Sequence, residues 1–345
     1  MKAPLTIERD VSLRELNTFG IDVRTRALLR VTDAAQLAAV RNEAELAALP
    51  RLVLGGGSNV LLTGDFDGLV LLMANRGIEI TGEDEQAVYV RAAAGENWHE
   101  FVLWTLNKEL AGLENLALIP GSVGAAPVQN IGAYGIEVAE RFHCLSAYDM
   151  RSGETVRFDR EQCCFDYRDS VFKQNGDHLN ARYAITDVTF RLPKAWRPVT
   201  RYTDVDAELA ARSVGQPDAR VIFAAIVAIR QRKLPDPAQL PNAGSFFHNP
   251  VVAAATADRL LANHPGLPCY AQPDGRSKLA AGWLIERAGW KGRDLGPVGM
   301  FEKQALVLVN RGGATGNDVV ALMRAVQRDV HEKFGVDLTP EPIML

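Results

Sequence analysis

The chain has 345 residues, 47% hydrophobic and 23% charged; at about 150 residues per domain it can build two to three compact domains, and long disorder and fibrous repeats are excluded. With 38 Lys and Arg against 42 Asp and Glu, the net charge is −4, so no global basic field exists to hold DNA or RNA, and any bound phosphate must be gripped locally. Cys144, Cys163, Cys164 and Cys269 show no C-x-x-C spacing and read as reduced, structural thiols. The N-terminus lacks the apolar run of a signal peptide, and no stretch of about 18 uncharged apolar residues occurs, so a cytoplasmic protein without membrane contact is expected.

In chain order, Thr32-Asp33 precedes the apolar-periodic run 34–47 and reads as a helix start, and the apolar runs at 52–54 and 69–73 read as buried strands. Between those strands lies GGGSN, residues 55–59, directly after the first. A strand is expected over 87–94, then a helix over 96–110 whose Trp98, Phe101, Val102 and Thr105 share one face. The segment IPGSVGAAPVQNIGAYG, 119–135, is glycine-rich and uncharged, so something must approach its backbone closely. An alternating strand at 183–192 leads into a polar, proline-containing connector at 193–206, where a domain boundary is placed. Helices are expected at 218–233, 278–289 and 316–335, with a strand at 305–310; the turn-rich LPDPAQLPNAG delivers SFFHNP.

GGGSN after a strand supplies successive backbone N–H groups with no side chains in the way, as a pyrophosphate requires. It has neither the dinucleotide fingerprint nor a P-loop, and alone it also fits a bare tight turn. A second such loop at 119–135 favours one extended nucleotide cofactor served by both. Three further residues stand out, each with a plainer reading beside it. Arg168 in DYRDSVF also reads as an exposed strand-end arginine, Ser245 in NAGSFF as a turn cap set against an aromatic wall, and Glu341 in LTPEPIML as a solvent-facing tail residue.

Taken together, NTFGI (17–21), GGGSN, IPGSVGAAPVQNIGAYG, YRDSVF, KLPDP with NAGSFF, KLAAGWLIE and the terminal PE run in this order over essentially the whole chain. This set resembles the UDP-N-acetylenolpyruvoylglucosamine reductases of peptidoglycan synthesis. The resemblance implies an α+β protein with a vanillyl-alcohol-oxidase-like FAD-binding fold: FAD-binding subdomains at 1–72 and 73–204, a substrate-binding domain at 205–332, and a C-terminal tail, 333–345, returning to the active site. It also implies noncovalent FAD, NADPH as hydride donor, UDP-N-acetylglucosamine enolpyruvate as the small-molecule substrate, no nucleic-acid partner, and a monomer. The FAD contacts would come from Gly55, Gly56, Gly57, Ser58 and Asn59, and from Pro120, Gly121, Ser122, Gly124, Ala125, Gln129, Asn130, Gly132, Ala133 and Tyr134.

By the same resemblance Ser245 is the proton donor, and Arg168 and Glu341 stabilise the intermediate. These types suit the chemistry: charge grows at the enolpyruvyl carboxylate, which a guanidinium meets bidentately, and a placed acid then protonates the adjacent carbon. Lys233 and Lys291 match phosphate-contacting positions, and Tyr202, Asn249, Tyr270 and Gln304 match other substrate contacts. Where the family often has Lys after SFF, this chain has His248, which would make a phosphate contact there pH-dependent. The competing readings are a flavin oxidase of the same fold, which often ties FAD to a histidine that neither glycine loop contains, and a non-catalytic sugar-nucleotide-binding module.

Overall fold

The computed structural model describes residues 5–174 and 180–345. The chain forms two compact units. The first comprises the segment ending at Ser12, Arg24–Gly57 and Asp65–Arg232; the second comprises Leu13–Val23, Ser58–Gly64 and Lys233–Leu345.

In the first unit, a four-stranded sheet runs in the order Ile7–Ser12, Arg24–Val31, Phe66–Met73, Arg51–Leu54. Its inner pairs are parallel, and the strand ending at Ser12 is antiparallel to its neighbour. The central strand Phe66–Met73 is a continuous buried apolar run over 69–73, as a strand covered on both faces requires, whereas Arg24–Val31 exposes Arg24, Arg26 and Arg30. Between Arg24–Val31 and Arg51–Leu54 the expected single helix is two, Ala35–Asn42 and Ala44–Ala47, because Glu43 is extended with ψ 108. Asp33 still serves the helix start, its carboxylate accepting the N–H of Ala35 at 2.8 Å.

A five-stranded antiparallel sheet follows, in the order Thr155–Asp159, Phe142–Asp149, Tyr183–Pro193, Ala87–Ala93, Ile78–Glu83. Helix Trp98–Asn107 packs here, with Asn97 capping it by accepting from the N–H of Glu100 at 3.1 Å. Its buried face meets the sheet through Trp98, Phe101 and Phe190, whose ring centroids lie 5.0–5.9 Å apart. Burying rings of this size stabilises by about 2–3 kcal/mol each. The same core takes in Val205, Leu209, Ile222, Ala225, Ile226 and Ile229. Helices Thr203–Ala211 and Ala219–Lys233, expected with the substrate-binding part from 205 onward, therefore pack almost wholly with the first unit.

In the second unit, Asn242–Ser245 pairs with Val307–Asn310 in a four-stranded sheet, and Ser277–Leu279 is the centre of a three-stranded one. The helix expected over 278–289 thus starts later, at Ala281–Arg287, because Ser277–Leu279 pairs on both sides. The long helix Gly316–Phe334 matches expectation: Thr315 and Asp318 form a capping box, and Gly335 ends it at φ 66. The tail strand Ile343–Met344 lies parallel to Val60–Leu61. Among the described residues no helix is long and apolar enough to cross a membrane. All four cysteines are free; burial first, then neighbouring Asp159, pushes the Cys163 thiol up to about 12, so it stays protonated and unreactive.

Candidate active site

In the first unit the two glycine loops meet. Gly55–Gly57 follows strand Arg51–Leu54, and a Cβ added to Gly56 would stand 2.8 Å from the Gly121 Cα, a backbone atom with nowhere to go. Ser122 and Ala125 crowd the same position on Gly55, and Ala94 crowds it on Gly124. Glycine is required here by close backbone approach. The second loop is sewn to the start of helix Trp98–Asn107: Trp98 N–H donates to Gly121 O at 3.1 Å, Val123 N–H to Glu96 O at 2.9 Å, and Gly124 N–H to Ala94 O at 2.9 Å. The Ser122 hydroxyl is buried with no hydrogen-bond partner. A glycine backbone rim beside an unpaired buried hydroxyl fits the diphosphate of FAD, since buried polar groups are otherwise paired.

Farther along the loop, Asn130 is buried with φ 43; its amide donates to Glu137 Oε2 at 2.9 Å and to Asp166 O at 3.0 Å. Both side-chain donors are thus used within the protein, so its side chain scaffolds the loop against the 166–170 turn. Ser170 reinforces that turn, its hydroxyl donating to Val128 O at 2.5 Å. At its tip Arg168 has φ 56 and donates to Gly132 O at 2.6 Å. A left-handed backbone on a bulky residue persists only where surrounding structure over-determines it, and such strain clusters at functional sites.

Sequence reasoning missed Arg230, which looks like one more cation of the helix Ala219–Lys233. It hydrogen-bonds the Tyr134 hydroxyl, donates to Leu118 O at 3.2 Å, and lies close enough to Arg168 for mutual repulsion. Burial first, with Arg168 adding to it, holds its pKa below the ordinary arginine value; burial also raises Tyr134. Arg168 and Arg230 therefore form a locally positive site in a chain of net negative charge.

His99 supports the same corner. Its Nδ1 accepts the Leu118 N–H at 3.0 Å, and its ring stacks on Phe223 at 5.3 Å. Burial, as the largest cause, lowers its pKa below the usual 6.5. The unfolded chain then binds the proton that the folded one refuses, so this contribution is complete above pH 6.5 and is lost as pH falls below it, at most about 1.4 kcal/mol per pH unit. Melting temperatures taken from pH 7.5 down to 5.5 should fall, with His143, lowered likewise by burial, adding to the slope. His99→Gln should flatten the slope in part, and a variant slope equal to wild type would remove His99 as its source.

The second unit carries the other expected residues. Ser245 ends strand Asn242–Ser245 beyond Gly244 at φ 70. Its side chain is exposed, while Phe246 and Phe247 are buried. The tail runs alongside: Glu341 N–H donates to Phe246 O at 2.8 Å, and His248 N–H to Thr339 O at 2.9 Å. Asn59 reaches the same tail, its side chain donating to Glu341 O at 3.4 Å. Ser245, Glu341 and Asn59 are thereby brought together.

The remaining second-unit residues are more scattered. Asn249 accepts the Ala281 N–H at 2.9 Å, and Lys291 pairs with Glu286 at 3.1 Å. Gln304 accepts the Leu306 N–H at 3.4 Å. Tyr270 is exposed beside Lys278 across the three-stranded sheet.

Residues 25–159 match the FAD binding domain family, and residues 236–345 match the C-terminal domain family of UDP-N-acetylenolpyruvoylglucosamine reductase. The enzyme of that name from Dechloromonas aromatica is 58% identical over 336 residues, covering 97% of this chain and 98% of that protein. The one from Burkholderia multivorans is 56% identical over 347 residues, covering 100% and 98%. The crystal structure of the reductase from Thermus caldophilus superimposes with a TM-score of 0.68 at 24% identity, covering 99% of each chain. The fold is thus the FAD-binding one expected, with a separate C-terminal α+β part.

Proposed function

This chain belongs to the UDP-N-acetylenolpyruvoylglucosamine reductase family, and from that premise we propose that it reduces the enolpyruvyl group of UDP-N-acetylglucosamine enolpyruvate to the lactyl ether, giving UDP-N-acetylmuramate for peptidoglycan synthesis. The oxidase and the binding-module readings give way to it. Bound FAD supplies a two-electron carrier that NADPH reduces and the enolpyruvyl group oxidises. Gly55–Gly57 would hold its diphosphate through backbone N–H groups and Ser122 through its hydroxyl.

The protein's own residues then act on the substrate. Arg168 meets the carboxylate onto which negative charge spreads as hydride adds to the terminal carbon, and its fixed guanidinium stabilises that charge more than the ground state. Ser245 gives its proton to the adjacent carbon from one face. Glu341, held beside Phe246 by its own N–H, orients that hydroxyl. Lys233 and Lys291 serve as point charges for phosphate groups, with Tyr202, Tyr270, Asn249 and Gln304 lining the sugar nucleotide. The observation that supports the roles of Ser245 and Glu341 is the tail pairing, in which Glu341 N–H donates to the carbonyl of Phe246, the residue after Ser245.

We place the reaction in the cytoplasm, where free thiols persist, and propose a monomer acting on small molecules alone. NADPH and the substrate must each bring a carbon to the same reactive flavin edge, so they occupy it alternately. Initial rates should give parallel double-reciprocal lines, with inhibition at high sugar nucleotide; intersecting lines would contradict alternate occupancy.

A further inference from the structure

Residues 196–201 belong to no helix or strand, yet they lead to Tyr202, half exposed and packed edge-on against the Tyr134 ring at 5.6 Å. Three tethers hold this stretch. Trp196 Nε1 donates to the buried Glu114 at 2.7 Å, Arg201 donates to Gly135 O at 2.9 Å, and the Asn115 side chain donates to Val199 O at 2.9 Å. The same Asn115 amide gives its second proton to Tyr134 O, also at 2.9 Å. Asn115 is fully buried, and its Oδ1 has no hydrogen-bond partner. The residue keeps a costly orphan acceptor while its amide gives both protons to two carbonyls. Tyr134 is itself held at φ 48, and its hydroxyl is fixed by Arg230. A Cβ on Gly135 would stand 3.2–3.3 Å from Arg201 and Val199, so loop and connector are in close contact.

We infer that Asn115 is a positioning residue: it locks the connector to the flavin-side loop at Tyr134 and thereby holds Tyr202 where it meets the sugar nucleotide. The inference rests on the proposed function, since it takes Tyr202 as a substrate contact. Neither Asn115 nor Glu114 needs to touch substrate or cofactor. The Asn115 amide bonds to both segments, so loosening it weakens the hold on Tyr202 without touching the proton donor.

The test is a double-mutant cycle on the FAD-loaded enzyme. Asn115→Asp replaces both donors with acceptors facing carbonyls, and should raise KM for the enolpyruvyl sugar nucleotide about tenfold while NADPH reduction of the flavin stays within about twofold. In a Tyr202→Ala background the same change should add less than about twofold, because its target is already gone. Trp196→Phe, which removes only the Glu114 tether, should shift KM in the same direction by less.

Trypsin cleavage after Arg201 in the oxidised holoenzyme gives a readout independent of turnover, and both variants should be cut faster than wild type. A KM effect of equal size in both backgrounds, or unchanged cleavage in both variants, would overturn the inference. Should Asn115→Asp not fold, Trp196→Phe decides alone by the same cycle and the same cleavage. Wild type that failed to turn over the substrate would instead overturn the proposed function, while the cleavage result still reports on the clamp.

Discussion

Ser245→Ala should slow reoxidation of the reduced flavin by the enolpyruvyl substrate by about 10²–10⁴-fold, the range for losing a positioned general acid, and leave reduction by NADPH near the wild-type rate. The separation follows from where the residue sits. Ser245 is exposed at a strand end, and the neighbouring backbone is pinned independently: Phe246 N–H donates to Leu306 O at 2.8 Å and Phe246 O accepts from Glu341 N–H at 2.8 Å. Removing one exposed hydroxyl should change stability by no more than about 0.5 kcal/mol, so the loss will be chemical. Ser245→Cys keeps a transferable proton at similar size and should restore part of the rate. Two stopped-flow traces at the flavin band, one per half-reaction, make the comparison. An alanine variant that reoxidised normally would move the acid to Glu341, and one that lost NADPH reduction would make Ser245 a structural turn residue.

Gly56→Val should yield protein with little flavin. The added Cβ would fall 2.8 Å from Gly121 Cα and 3.2 Å from its carbonyl carbon, so the two loops must separate. Overpacking of this kind costs about 1–3 kcal/mol, which converts to about 5–150-fold in flavin affinity if the strain is relieved at the cradle. Gly64→Ala is the control, because nothing lies within 4 Å of its Cβ position. Flavin content per protein, read after gel filtration, should drop for the first variant only. Full retention of FAD by Gly56→Val would put the diphosphate elsewhere.

The elements best read from sequence are those with local causes. The helix ending at Phe334 is bracketed by its own capping box and by Gly335, and the strand Phe66–Met73 is apolar over 69–73 because both faces are covered. Ser277–Leu279 escaped because its partners, Val251–Val252 and Cys269–Ala271, are brought there by tertiary pairing. Leu13–Val23 and Ser58–Gly64 likewise carry no local mark of belonging with Lys233–Leu345. Nor does the apolar face of Ala219–Lys233 say which core it enters.

At the site, glycine loops were legible because a missing side chain is itself a signal of close approach. Ser245, Arg168 and Glu341 became legible through resemblance, since each alone has a plain structural reading. Arg230 and Asn115 were not legible. Each is an ordinary polar residue whose significance lies in burial and in partners far along the chain, such as Tyr134 for both. The one signal available for Asn115 was an uncharged amide within the apolar run LENLALIP.

The most direct test of the whole account is an anaerobic spectrum of the purified, flavin-loaded protein. NADPH should bleach the visible flavin band, and UDP-N-acetylglucosamine enolpyruvate added afterwards should restore it with formation of one equivalent of UDP-N-acetylmuramate. A band that NADPH leaves untouched, or one that returns only when air is admitted, would contradict it.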